Sequence, residues 1–331
     1  MTWLTWRQYR IQAAIASAVL AAFAAVLVVT GLSMAAQWHT LLTGCSATST
    51  CGSLGQTISL GGSIAGHDLV LLSLAAPAVF GMLLGAPLLA HEFEARTSEF
   101  AWTQSITRTR WLLVKVGWLL LAAAVWGGVI AALVTWWSGP RNALMQNAFE
   151  PGTFDMQGIV PVGYAVFATA LGIAAGALLR RTLPAVAIVL GGFIGLRLWI
   201  SQAVRQHFMT PVTGYLSATG NPAPVGSWNL GGGMSGPNGL QVAQSFSKGA
   251  VFDGMPISSL PQACQSLANS ASPRSTGATF RCLNAGGYHI YVTYQPLSRY
   301  WAFQGIETGT FATLALALLA VTLVVVTRRD A

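Results

Sequence analysis

Six apolar stretches, separated by polar segments, decide what this chain can fold into. Each is long enough, or nearly so, to cross the roughly 30 Å of hydrocarbon in a bilayer as an α-helix. Charged residues make up only 8% of the 331 positions, whereas a soluble domain usually has about 25%. The sequence therefore predicts an all-α polytopic membrane protein with six transmembrane helices. The stretches are roughly Ile11–Ala36, Leu69–Ala90, Trp111–Trp137, Ile159–Leu179, Leu183–Ala203 and Gly305–Thr327.

Basic residues at the ends of these stretches predict the orientation. Lys and Arg are enriched in short cytoplasmic loops. With six spans, four basic clusters fall on one side, and the short loops of the other side contain only Arg141. Both termini are therefore predicted to be cytoplasmic. The clusters are Arg7 and Arg10; Arg96, Arg108, Arg110 and Lys115; Arg180 and Arg181; and Arg328 and Arg329.

The first stretch has a second interpretation, as a cleaved signal peptide that ends near SMAAQ, 33–37. Its apolar run is longer than the roughly 7–15 residues of a typical signal-peptide core. Cleavage would also leave five spans and an external N-terminus. We therefore expect the stretch to be retained as a span.

The fifth and sixth stretches are separated by a long segment of different composition, rich in Gly, Ser, Pro and Asn. The predicted organisation is a transmembrane part at 1–203, a small extracytoplasmic α+β segment at 204–303, and the sixth span with a cytoplasmic tail at 304–331. The run GNPAPVGSWNLGGGMSGPNG, 220–239, lacks periodicity and is expected to be irregular. SSLPQACQSLANS, 258–270, predicts a short helix, and the alternation in YHIYVTYQ, 288–295, predicts a strand.

All four cysteines, Cys45, Cys51, Cys264 and Cys282, lie in segments assigned to the outer face, where disulfides persist. Four cysteines allow three connectivities. The local pairing, Cys45 with Cys51 and Cys264 with Cys282, is the simplest. Other residues of the type that bind metals do not cluster beside them, so no metal site is predicted.

Several kinds of chemistry have no motif in the sequence. The chain lacks G-x-x-x-x-G-K-[ST], so it has no P-loop with which to hydrolyse ATP, and it is not predicted to be an enzyme. HEFEA, 91–95, begins like the zinc motif H-E-x-x-H but has Ala95 in place of the second His. The middle of each span also lacks Asp, Glu, Lys and His, which argues against a proton-coupled carrier.

Arg197 is the charged residue within a span. In one interpretation its side chain extends outward to the interface. In the other it pairs with Glu307, near the outer start of the sixth span. Inside the spans, small residues recur at four-residue spacing, which lets helices approach closely. The pairs are Gly81/Gly85, Gly172/Gly176 and Gly191/Gly195, and tight internal packing is their expected use.

Seven charged residues fall in one stretch, HEFEARTSEFAWTQSITRTRWLLVK, 91–115, on the predicted cytoplasmic side. This stretch resembles the permease subunit of a type-2 ABC exporter, whose second span is followed by Glu-Phe-Glu, a Thr, an Arg, and a Lys early in the third span. The matching positions are Glu92, Phe93, Glu94, Thr97, Arg108 and Lys115. YQPLSRYWAFQGIETG, 294–309, is similar to a subfamily common in high-GC Gram-positive bacteria.

The resemblance implies that 91–108 couples this chain to a separate cytoplasmic ATPase subunit, which would bind ATP and Mg. It also implies a dimer with a second permease copy or a paralogue, in a bacterial plasma membrane, with no nucleic acid and no cofactor on this chain. The coupling residues would be Glu92, Phe93, Glu94, Arg96, Thr97, Phe100 and Arg108. Two alternatives stay open. In the first, the charges serve only to solvate a cytoplasmic loop. In the second, the chain as a whole has an alternative function as a membrane-anchored sensor or accessory protein whose outer segment binds a ligand.

Overall fold

The protein is described by a computed structural model that covers residues 2–44, 64–94, 108–139, 142, 148–215, 223–224, 226–238, 241–244, 261–268, 278 and 281–328. The chain divides into two compact units. The first contains residues 1–145, 151–205 and 302–331, and the second contains 146–150 and 206–301.

The first unit is a bundle of helices. Two of its helices continue through π turns: α2 passes through Gly81–Gly85 into α3, and α7 passes through Ile200–Val204 into a 3-10 turn at Arg205–His207. The helices are α1 (Thr2–Gly44), α2 (Ile64–Phe80), α3 (Ala86–Glu94), α4 (Arg108–Trp137), α5 (Pro151–Phe154), α6 (Val160–Leu179) and α7 (Thr182–Trp199), and the last helix of the chain is Tyr300–Arg328.

Five helical segments in the described part of the chain are long and apolar enough to cross a membrane. They match the second to sixth predicted stretches and are Leu71–Leu88, Leu112–Trp137, Val160–Leu179, Thr182–His207 and Leu297–Arg328. The first predicted stretch lies within α1, whose apolar part, Ser17–Ser33, is shorter. A count of six spans and the cytoplasmic termini therefore stay predictions.

Helix α6 is the centre of the bundle. Of its span, 72% is buried within the protein, against 22–50% for the other four. Small residues make this possible, because α6 contains Gly163, Gly172, Gly176 and a series of alanines that let neighbouring helices approach. Around it pack α2, α3, α4 and α7.

Helix α6 closely approaches the π turn that joins α2 to α3. A Cβ added at Gly172 would lie 2.5 Å from the Gly81 carbonyl oxygen, and one at Gly85 would lie 2.6 Å from the Thr169 carbonyl oxygen. Tight internal packing is thus confirmed for the pairs Gly81/Gly85 and Gly172/Gly176. It is wrong for Gly191 and Gly195, where an added Cβ would have no atom within 4 Å.

Helix ends with basic residues meet on one side of the bundle. One buried cluster combines Leu88 of α3, Leu112 of α4, Ala177 of α6 and Val326 of the last helix. Each of these residues lies within a few positions of a helix terminus, at Glu94, Arg108, Leu179 and Arg328. We call this side the Glu94 end and the opposite side the Arg205 end.

The second unit contains a four-stranded antiparallel sheet in the order β1-β4-β2-β3. Its strands are β1 (Val212–Tyr215), β2 (Trp228–Ser235), β3 (Gln241–Gln244) and β4 (His289–Gln295), and a short helix, α8 (Gln262–Ala268), precedes β4. The predicted helix and the predicted strand are confirmed at α8 and β4, where Ile290, Val292 and Tyr294 are buried. The last helix of the chain, Tyr300–Arg328, is α9.

The expectation of irregular structure at 220–239 is wrong for β2. The sequence WNLGGGMS has no alternation to indicate a strand, because three of its residues are glycines. Its order comes from pairing, since Gly232 lies opposite Val292 and Met234 lies opposite Ile290. Glycine weakens a strand in isolation, so the ladder with β4 supplies what local propensity does not.

Candidate functional site

A network of buried charges lies at the Arg205 end of the first unit. Four separate elements contribute to it. Asp155 follows α5, Tyr164 is in the first part of α6, Arg205 begins the 3-10 turn after α7, and Glu307 is in the first part of α9. Arg197, in the last turn of α7, completes the group.

Arg205 is the centre of this network. Its Nε donates to Glu307 Oε2 at 2.8 Å, and its Nη2 donates to Glu307 Oε1 at 2.7 Å. Nη2 also donates to Asp155 Oδ1. The two bonds to Glu307 form the bidentate arrangement in which Arg and carboxylate interact most strongly.

The second cation of the network binds the same carboxylate from the other side. Arg197 donates from Nε and Nη2 to Asp155 Oδ2, at 3.0 and 2.8 Å. Its Nη1 donates to the Leu74 carbonyl oxygen of α2 at 3.2 Å. Asp155 therefore links the two arginines, and the network extends from α9 to α2.

Burial makes these pairs depend on one another. The side chains of Arg205, Asp155 and Glu307 are at most 1% exposed, and that of Arg197 is 14% exposed. Two arginines and two carboxylates sum to zero formal charge. A buried ion is costly unless it is paired and hydrogen-bonded, so loss of one member leaves a net charge in a closed site.

Aromatic side chains complete the surroundings of the two arginines. The Arg205 guanidinium lies 4.3 Å from the centroid of the Phe154 ring, and that of Arg197 lies 5.6 Å from the centroid of Tyr164. Arginine stacks favourably on aromatic faces. The Tyr164 hydroxyl donates to Glu307 Oε1 at 2.5 Å.

Gln304, one turn before Glu307 on α9, holds the start of α6. Its Oε1 accepts hydrogen bonds from the backbone N–H groups of Ile159 and Val160, both at 3.0 Å, and its Nε2 donates to the Phe154 carbonyl. The first N–H groups of a helix have no intrahelical partner. Gln304 and Glu307 together therefore fix the turn between α5 and α6 against α9.

The predicted direct pair of Arg197 with Glu307 is wrong in detail. Arg197 binds Asp155, and Glu307 binds Arg205, so the two residues belong to one network but do not form its ion pair. The reason is that Asp155, which follows α5 and has no sequence pattern that marks it as buried, reaches the Arg197 guanidinium at 2.8 Å.

Sequence reasoning missed Asp155, Tyr164 and Arg205. In a regular α-helix, Arg197 and Arg205 would point about 80° apart, because each residue turns about 100°. The π turn at Ile200–Val204 accommodates one extra residue and brings the two directions to within about 20°. Two arginines eight residues apart in an apolar helix were the signal, but only with a π turn do they share a face.

At the Glu94 end, the structure describes part of the predicted coupling segment. Glu92, Phe93 and Glu94 form the last residues of α3, and Arg108 is the first residue of α4. Arg96, Thr97 and Phe100 lie outside the described residues. Lys115, the match in span three, is buried between the core residues Leu112 and Val116 along α4.

Glu94 contacts the beginning of α7. Its Oε1 accepts a hydrogen bond from the backbone N–H of Thr182 at 2.8 Å, and its Oε2 accepts one from the Thr182 hydroxyl at 3.0 Å. Thr182 is the first residue of α7. The carboxylate thus caps a helix that is 88 residues away in sequence.

In the second unit, Cys264 of α8 is bonded to Cys282, which lies in a helical turn before β4. The disulfide closes a separation of 18 residues and confirms this half of the local pairing. Cys45 and Cys51 lie outside the described residues, so their pairing stays a prediction.

These features define a multi-pass membrane protein, with a bundle of apolar helices and a small disulfide-bonded α+β unit inserted before the last helix. Residues 17–205, more than half of the chain, match the family described as ABC-2 membrane transporter related, and the chain belongs to this family. Membership indicates a transmembrane permease of an ABC transporter, a class that generally works with an ATPase subunit. Comparison with curated proteins and with solved structures gives no significant match.

Proposed function

We propose that this chain is the permease subunit of an ATP-driven exporter, and that it couples to a separate cytoplasmic ATPase subunit through residues 91–108. The observation that carries the proposal is the family match over 17–205, which contains the whole of this segment. The segment lies between two helical segments of membrane length, Leu71–Leu88 and Leu112–Trp137, so displacement of it would act on both.

The position of the segment supports this role. The Glu94 end gathers the termini of α3, α4, α6 and α9, as the cluster around Leu88 and Val326 shows. Basic residues, including Arg110, Arg180 and Arg181, lie at the same termini. By the positive-inside rule this end is cytoplasmic, where a soluble ATPase would reach it.

In the proposed mechanism, ATP and Mg bind to the partner ATPase and not to this chain. Closure of two ATPase subunits pushes the coupling segments of two permeases and re-orients their helices by alternating access. The second permease is another copy of this chain or a paralogue, and the pair lies in a bacterial plasma membrane. The resemblance at 294–309 favours a permease subfamily that is common in high-GC Gram-positive bacteria.

The disulfide-bonded unit supports a second candidate function. A compact unit with its own sheet, inserted between two spans, is suited to bind a ligand outside the membrane. A membrane-anchored sensor or accessory protein would use such a unit without an ATPase. Co-purification of a soluble ATPase with the intact chain separates the two functions.

The test of coupling is the double variant Phe93→Ala/Phe100→Ala in lipid nanodiscs. Buried aromatic anchors dominate interface energetics, with costs of about 2 kcal/mol or more at the strongest positions. Binding of the ATPase, measured by pull-down, and stimulation of its hydrolysis should therefore both fall at least tenfold. Insertion should persist, because the segment lies between the predicted second and third spans.

A matched control is Trp118→Ala, which removes an aromatic side chain that is 55% exposed on α4. This variant should bind and stimulate the ATPase as the wild type does. Normal binding and stimulation by the double Phe variant would reduce 91–108 to a solvated loop and remove the local support for the proposal.

A further inference from the structure

We propose that Glu94 and Thr182 form a mechanical link by which displacement of 91–108 moves α7 together with α3. The inference deepens the proposed function and rests on it. It assigns Thr182, at the start of a different span, a positioning role in coupling that its sequence neighbourhood does not indicate.

The contact has the geometry of a helix N-cap supplied by a residue distant in the same chain. Arg181, the N-cap residue of α7, makes no side-chain cap hydrogen bond. The carboxylate of Glu94 instead accepts from both the N–H and the hydroxyl of Thr182, at 2.8 and 3.0 Å. A negative charge at a helix N-terminus is favourable, because unpaired N–H groups and the helix dipole point toward it.

The rest of α3 is packed so that Glu94 cannot move alone. Ala90, one turn before Glu94, is fully buried, and an added Cβ at Gly176 would lie 2.7 Å from the Ala86 carbonyl oxygen. Ala86 also shares a buried cluster with Ala185 and Val189 of α7. A push on 91–94 is therefore transmitted along α3 to residues that touch both α6 and α7.

The turn between α6 and α7 is short, and this favours a direct contact between α3 and the first residue of α7. It contains only Arg180 and Arg181, and Arg180 has the left-handed conformation, with φ of 52°. In the first turn of α7, Leu183 is 83% exposed, whereas Ala185 is buried in one cluster with Ala86 of α3. The Glu94 carboxylate adds a polar contact between α3 and the first residue of α7.

The inference predicts that breaking the link lowers coupling and not assembly. Glu94→Ala removes the acceptor. Thr182→Pro removes both donors, and it suits the site, since Pro is favoured at the first position of a helix and Arg181 already has the extended backbone that precedes proline, with φ −139° and ψ 129°. Each variant should lower stimulation of the partner ATPase about fivefold, near the low end of coupling between sites.

The decisive comparison is the double variant Glu94→Ala/Thr182→Pro. Because both changes break the same link, the double should be no worse than either single, whereas independent sites add. Full permease–ATPase complexes in nanodiscs are assayed by pull-down for binding and by phosphate release for stimulation. Binding by Thr182→Pro should stay within twofold of wild type, because Thr182 lies outside the proposed coupling segment 91–108.

Three further variants control for the loss of an acid elsewhere and for the two donor groups of Thr182. Thr182→Ser keeps both donors and should restore wild-type stimulation, while Glu150→Gln removes an exposed acid elsewhere and should have no effect. Thr182→Val removes only the hydrogen bond from the hydroxyl and keeps the one from the backbone N–H. It should lower stimulation about twofold, near the low end for one hydrogen bond. It replaces the proline variant in the test if that variant inserts poorly.

The outcomes separate this inference from the proposed function. If the wild-type chain binds no ATPase, the proposed function fails. If the wild type binds and stimulates but Thr182→Pro and Thr182→Val do so equally well, the link is overturned and the proposed function stands. Additive losses in the double variant would likewise overturn the link, since they would mean that Glu94 acts on the ATPase directly.

Discussion

Arg205 is a fully buried cation in a helical segment long and apolar enough to cross a membrane, and its environment explains how it is accommodated. The arginine has a bidentate acid, a second acid and an aromatic face, so its charge is compensated on several sides. Such a network is stable only as a whole, because each ion depends on partners that have also lost their water. The site is therefore sensitive to single substitutions and tolerant of paired ones.

The first prediction follows from this dependence. Arg205→Met should lower the free energy of unfolding by about 3–5 kcal/mol, the range for breaking one side of a buried ion pair. The double variant Arg205→Met/Glu307→Gln should lose less, because one cation and one anion leave together and the remaining charge balance is restored. Unfolding in detergent, followed by circular dichroism, measures both.

Arg181→Met is the control, since Arg181 is an exposed arginine of the same unit and should change stability by no more than about 0.5 kcal/mol. The idea of an interdependent network would be sunk if the double variant were as unstable as the sum of Arg205→Met and Glu307→Gln. Equal stability of Arg205→Met and wild type would show that the charges are not buried.

At the scale of elements, hydropathy was enough to locate the five membrane-length helices, and the alternation of Ile290, Val292 and Tyr294 was enough to locate β4. The same local signals could not reveal features that arise from partners. The glycine-rich strand β2 exists because β4 pairs with it. The site at Arg205 forms because the π turn at Ile200–Val204 places Arg205 on the same helix face as Arg197. The sequence has no residue pattern that predicts this turn.

The glycine pairs show how a shared pattern can serve different purposes. Three pairs have the same four-residue spacing, but only two lie where backbones meet. Gly172 faces the Gly81 carbonyl oxygen across an approach in which an added Cβ would be 2.5 Å away, whereas Gly195 faces open space. Spacing alone cannot distinguish these cases, because it is a property of one helix and the contact needs two.

This contrast gives the second prediction. Gly172→Ala should destabilise the bundle by about 1–3 kcal/mol, since the nearest atoms are backbone and overpacking forces them apart. Gly195→Ala should be neutral or slightly stabilising, because Ala is favoured over Gly within a helix by about 0.5–1 kcal/mol. Thermal unfolding of the two variants in the same detergent is the comparison, and equal midpoints would contradict the packing of α6 on the π turn.

At the scale of the whole molecule, the sequence predicted one segment of different amino-acid composition between two spans. The structure has a separate compact unit that contains 206–301 together with 146–150. The short piece 146–150 was not foreseen, because it is separated in sequence from the rest of the unit by α5, α6 and α7. Local composition identifies a contiguous segment, whereas membership of a compact unit depends on contacts distant in the chain.

The last prediction concerns how the chain lies in the membrane. If six spans place the Glu94 end in the cytoplasm, single cysteines at positions 100, 180 and 329 should be protected from an impermeant maleimide in intact cells. Cysteines at 55, 148 and 250 should react. The native bond between Cys264 and Cys282 can be kept, because a disulfide does not react with maleimide, and Cys45 and Cys51 are replaced by Ser to remove background.

Permeabilised cells provide the control, since positions 100, 180 and 329 should then react as fast as the other three. The physical reason for the asymmetry is the cost of moving arginines across the bilayer, about 2.5–3.5 kcal/mol each at the centre of a span. Arg180 and Arg181 lie together in one tight turn, so moving this turn across the bilayer would carry the cost of two arginines. Labelling at position 180 from outside would overturn the six-span arrangement and place the Glu94–Thr182 contact on the face that no cytoplasmic ATPase can reach.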